Sequence, residues 1–135
     1  MATFVKLNKF PLNLAQKVFN LGSDTLKVAL TDTVPTVTFN QLSEITEISY
    51  ANLSARSVTI TSSTQTSGTY KLVLADLVLT ASGTVPQFRY IVLYDDTATN
   101  DELIGYWDRG SEVNLLNTDT FTLDFDASTG ALTIA

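Results

Sequence analysis

The chain has 135 residues, a formal net charge of -6, and neither cysteine nor histidine. Those absences exclude disulfides, thiolate or imidazole metal sites, and any Ser-His-Asp or Cys-His nucleophile within the chain. The negative balance sets it against phosphate backbones, so nucleic acid and anionic membrane surfaces are not expected partners, and no run reaches the roughly 20 apolar residues of a membrane span.

The length suggests a single domain over residues 1–135. In chain order, Phe4 to Leu7 reads as a first strand. Residues 1–9 are also a candidate extended, basic arm, with Phe4, Val5, Lys6 and Lys9 as contact residues, because such a segment can add to a neighbour's sheet edge. The segment from Pro11 to Gly22 reads as a short helix: Pro11 suits the first helical position and Gly22 the cap beyond its end. Leu12, Ala15, Val18 and Phe19 would share its apolar face.

From there, period-two patterns take over. Leu26 to Leu30, Ser57 to Thr61, Tyr70 to Leu74, Leu77 to Leu79, Gln87 to Tyr94 and Leu103 to Trp107 read as strands. Thr120 to Asp126 alternates strictly, Phe121, Leu123 and Phe125 on one face against Thr122, Asp124 and Asp126 on the other. Ser128-Thr129-Gly130 then turns into Ala131 to Ile134, which predicts a C-terminal hairpin. Residues 31–55 carry no clear period beyond one possible turn at Asn40 to Ile45, and read as a long loop over the sheets. Strands spaced by about 8–12 residues predict an all-β fold, an antiparallel β-sandwich of jelly-roll or immunoglobulin-like type, with one short N-terminal helix.

One stretch concentrates the acids. YDDTATNDELIGYWDRG, Tyr94 to Gly110, holds Asp95, Asp96, Asp101, Glu102 and Asp108. It lacks the central Gly and the offsets of a helical calcium loop. Two carboxylates can hydrolyse a glycoside, but one needs an apolar pocket to raise its pKa, and a hairpin tip offers none. The expected reading is therefore a solvated turn whose Asp and Asn side chains serve local backbone, with Asp95, Asp96, Asp101 and Glu102 available for surface contact. The nearby aromatics Tyr90, Tyr94, Tyr106 and Trp107 read as core or cross-strand packing before they read as a sugar-stacking platform. No catalytic residue, cofactor or metal site is assigned.

The second half carries a resemblance. An aromatic-rich strand ending in a YDDTATND-like turn, then LIGYWD, then DTFTLDFD with a following Gly and LT, resembles small proteins encoded in the structural modules of tailed bacteriophages. Asp24 to Leu30 fits the opening of the same group, so the resemblance covers most of Asp24 to Ala135 and is weakest in the middle. It implies a β-sandwich virion protein without catalytic residues, most simply a head decoration or cement protein. Its implied partners are the major capsid protein and copies of itself, as a homo-oligomer on the particle. A tail- or fibre-associated adhesion module is the alternative.

Overall fold

A computed structural model describes residues 2–135. Its elements are β1 (Phe4–Lys6), α1 (Phe10–Ala15), β2 (Leu26–Thr31), a 3-10 turn (Leu42–Glu44), β3 (Ser57–Val58), β4 (Ile60–Thr66), β5 (Thr69–Leu74), β6 (Leu77–Thr80), β7 (Val85–Asp95), β8 (Leu103–Leu115), β9 (Thr120–Leu123) and β10 (Leu132–Ile134). The expected all-β, antiparallel sandwich-like fold with one short helix is what forms. Among the described residues no helix is long and apolar enough to cross a membrane.

One layer is a five-stranded sheet in the order β1-β8-β7-β2-β3. The other is made of two smaller sheets, β10-β5-β4 and β6-β9. The chain crosses between layers at Thr59, where β3 ends and β4 begins, a common way of turning a sandwich corner. The strands β7 and β2 contribute Val28, Leu30, Phe88, Ile91 and Leu93 to one continuous core, which also takes in Phe10 from the helix and Leu132 from the last strand. On the opposite face of the same sheet, Leu7, Ala29, Ile45, Val92, Tyr94 and Leu103 form a second buried cluster. This explains why QFRYIVLY is apolar at consecutive positions: β7 is covered on both faces.

Two expectations are corrected. The helix ends at Ala15 rather than Gly22. Lys17 takes a left-handed conformation (φ 65°), its N–H bonds Leu14 O, and Val18 N–H bonds Asn13 O at 2.8 Å. That is a Schellman cap with lysine where glycine is usual. The buried helical residues are Phe10 and Asn13, while Leu12 and Ala15 face outward.

The C-terminal hairpin does not form. β9 pairs with β6, and β10 pairs with β5. Asp126 receives the N–H groups of Ser128 and Thr129, Gly130 has φ +81°, and Ala131 N–H bonds Leu72 O, so the turn delivers the chain to another strand's edge.

Residues 32–55 form the long irregular stretch expected, with a 3-10 turn at Leu42–Glu44 within the span Asn40 to Ile45, and it is tied firmly to β2. Ile48 N–H bonds Leu30 O, Leu30 N–H bonds the Tyr50 hydroxyl, and Arg56 Nη1 bonds Val28 O at 2.6 Å. The segment seals the edge of β2 that the two-residue β3 leaves open. Arg56 lies over the Tyr50 ring at 3.6 Å, which fixes both side chains there.

Candidate functional site

The acid-rich stretch is the β7–β8 hairpin, as its flanking patterns imply. Tyr94 stands opposite Leu103, Ile91 opposite Trp107, and Asp95 N–H bonds Glu102 O at 3.0 Å. Its acids, however, are less solvated than expected, although Thr97, Thr99 and Asn100 at the tip are exposed. Asp95 is fully buried and Glu102 is 6% exposed, while Asp96 and Asp101 are half-buried. A second piece of chain lies over the tip: Leu42 N–H bonds Asp101 O, Leu103 N–H bonds Asn40 O, and Gln41 bridges to Glu102. That cover is capped by Glu44, whose Oε2 accepts the N–H groups of Asn40 and Gln41.

The carboxylates are committed to the turn itself. Asp95 Oδ1 accepts Thr97 N–H at 2.9 Å and Ala98 N–H at 3.2 Å. Glu102 accepts both the backbone N–H and the side-chain amide of Asn100. Asp96 pairs with Lys27 at 3.3 Å. Asp101 adopts φ 51°, the left-handed position that closes the turn. Asp108, further down β8, takes a two-pronged contact from Arg89 and also the Gly110 N–H, and the guanidinium holds its carboxyl below the usual range.

One oxygen in this region has no donor. Asp95 Oδ2 is buried and unpartnered, and the carboxyl of Asp24, in the turn just before β2, is a neighbour of Asp95. Burial chiefly, then the neighbouring Asp24 carboxyl, push Asp95 up to about 7, against the pull of the Thr97 and Ala98 N–H groups. Asp24 is itself positioned by accepting Asn20 N–H at 2.8 Å. The residues that follow each acid are stitched together: Asp96 N–H bonds Thr25 O, and Thr25 N–H bonds the Thr97 hydroxyl. Sequence reading singles out Asp95 but misses Asp24. The two acids meet only because β2 pairs with β7 so that Leu26 stands opposite Asp95. Among the described residues, no three carboxylates gather where they could hold a metal ion.

The N-terminal candidates lie elsewhere. Phe4, Val5 and Lys6 form β1, an edge strand opposite Trp107, Tyr106 and Gly105 of β8. The segment is therefore a strand of this chain's own sheet rather than a free arm. Lys9 is the residue preceding α1, and Met1 lies outside the described residues. Phe4 packs on Trp107 at 4.9 Å between ring centres, and Trp107 on Phe125 at 5.5 Å. Beside this aromatic column is an open groove of about 320 Å³, lined among others by Trp107, Phe121, Phe125, Arg109 and Asp124. The structure thus separates the candidate residues into a buried acidic hairpin tip and an edge strand, and unites them into no single site.

No protein-family model matches the chain, and no curated protein or solved structure matches it.

Proposed function

We propose that this chain is a non-enzymatic virion structural protein of tailed-phage type, a head decoration or cement protein whose partners are the major capsid protein and further copies of itself. One observation carries the reading on the side of the geometry. The acids that would be the natural candidates for chemistry serve the turn that bears them: Asp95 holds Thr97 and Ala98, and Glu102 holds Asn100. A hairpin built in this way is a rigid structural projection. The phage-like segments supply the central β7–β8 pair, β2 and the closing strands, so the resemblance falls on the framework of the sandwich.

An adhesion module on the tail or fibre is a second reading, favoured by the groove beside Trp107. Aromatic walls with Arg109 and Asp124 among them suit a sugar ring, which stacks on one and hydrogen-bonds to the other. Antibody labelling of the phage particle in electron microscopy separates the two. Label over the shell is expected for decoration. Label confined to the tail supports adhesion, and particles without label overturn both.

A further inference from the structure

The second layer ends in an unguarded strand. β4, seven residues long with the sequence ITSSTQT, is the outer member of the β10-β5-β4 sheet. It contains no charge and no proline, two of the devices that usually keep a sheet edge from pairing, and its one irregularity, a bulge between Ile60 and Ser62, leaves Ser62 to Thr66 regular. The other edge strands are shorter: three residues in β1, which carries Lys6, two in β3, four each in β6 and β9, and three in β10. β8 also has a free margin beyond β1, but Asp108, Arg109 and Glu112 guard it.

The register shows which groups of β4 point outward. Ser63 stands opposite Leu72 of β5, and the Leu72 carbonyl is taken by Ala131 N–H on the far side at 2.8 Å. In an antiparallel ladder, a residue that bonds one neighbour does not bond the other at the same position. Ser63 therefore directs its N–H and C=O away from β5, and Gln65, two residues on, does the same. Among the described residues no backbone group outside the β4–β5 ladder bonds to Ile60–Thr66. The loop at Gly22 approaches the Ser63 side chain but supplies no backbone bond.

We infer that the β4 edge is a self-association surface, on which a second copy of this chain adds its own β4 antiparallel about a twofold axis at Thr64, within the regular part of the strand. That register places the outward-bonding residues opposite one another, Ser63 of each copy facing Gln65 of the other. Between them Thr64 meets its twin, a hydroxyl pair of a kind that stabilises antiparallel strands. Charge selects the same partner. The β4–β5 hairpin, Ile60 to Leu74, holds Lys71 and no acid, in a chain of net charge -6. Two copies can join here without bringing their acidic ends together, and the symmetric contact is of the commonest oligomer type. The two-residue turn Ser67-Gly68, both with positive φ, matches the twist of the two strands and keeps β4 paired with β5 up to Thr66.

The surface is independent of any particle, so its test needs only the isolated protein and leaves the decoration reading untouched. Sedimentation velocity over a micromolar-to-millimolar range is expected to show a monomer–dimer equilibrium. Ser63→Pro removes an outward N–H that the monomer does not use. Thr64→Lys places two cations directly opposite each other across the axis. Each is expected to weaken the dimer by at least about tenfold, with circular dichroism unchanged. A second readout covers a folding defect: amide exchange of wild-type Ser63 and Gln65 is expected to slow as concentration rises. A monomer throughout the range, a dimer indifferent to both substitutions, or exchange independent of concentration would overturn the proposal.

Discussion

Asp95, whose buried Oδ2 receives no N–H or O–H group from the protein, neighbours the carboxyl of Asp24. Two carboxylates cannot both ionise cheaply at such a contact, so the arrangement is stable when one of them keeps its proton. The proton then ties the start of β2 to the β7–β8 hairpin, alongside the backbone bond from Asp96 N–H to Thr25 O.

The pH dependence follows with a definite sign. The folded pKa of Asp95, about 7, lies above its unfolded value near 3.8, so the folded state binds more protons between them. Stability is full below about pH 4, falls as pH rises through 7, and is level above. Lys27, on the neighbouring strand, is paired with Asp96. The loss is expected to be on the order of 2 kcal/mol by urea unfolding at pH 5 and pH 8. Asp95→Asn keeps the acceptor for Thr97 and Ala98 and donates its amide to Asp24. It is expected to abolish most of this pH dependence and to be the more stable protein at pH 8. Equal slopes for the two proteins would contradict the shared proton.

Gly105 is needed for close approach. A Cβ there would collide with the Phe4 ring and lie 2.6 Å from the Val5 carbonyl oxygen. Gly105→Ala is expected to cost about 1–3 kcal/mol, by overpacking and by displacing β1 from β8. Trp107 fluorescence reports the displacement, because Phe4 stacks on that indole.

Tyr50→Phe removes one oxygen and strands two groups. Leu30 N–H, in a buried strand, loses its acceptor, and Glu47 loses the hydroxyl donor at 2.7 Å. The expected cost is about 1–3 kcal/mol. Amide exchange should quicken at Leu30 and along the 46–56 segment, while the β4–β5 hairpin is unaffected.

Phe88 tests the core. It is fully buried and meets Phe121 edge-on at 5.5 Å across the two layers. Phe88→Ala is expected to cost about 3–5 kcal/mol. Thr122→Ala, on the exposed face of the same β9, is expected to change stability by less than about 0.5 kcal/mol.

The strands were legible because their signal is local. β7 and the alternation Phe121-Leu123-Phe125 can be read from side-chain periodicity alone, although β8 runs on to Leu115, well past the Trp107 where it reads as ending, and β9 stops at Leu123. What was illegible depends on partners distant in sequence. Nothing near Asp95 announces Asp24, and nothing near Ala131 announces Leu72 as its acceptor. Lys17 ends the helix with a conformation that glycine usually signals, so Gly22 misleads as the stop. The acidic tip read as solvated because acids usually are; the chain from Asn40 to Glu44 that covers it has no period to betray its place.

The sealing of β2 by Ile48, Tyr50 and Arg56 bears on how large an assembly can grow. A sandwich with two long bare margins can stack copy upon copy into an endless ribbon. Here one margin is occupied by the chain's own backbone, and β1 at the far side is short and bears Lys6. Under the proposed pairing, growth through the β4 margin ends once two copies have met, which would leave a closed pair rather than a fibre.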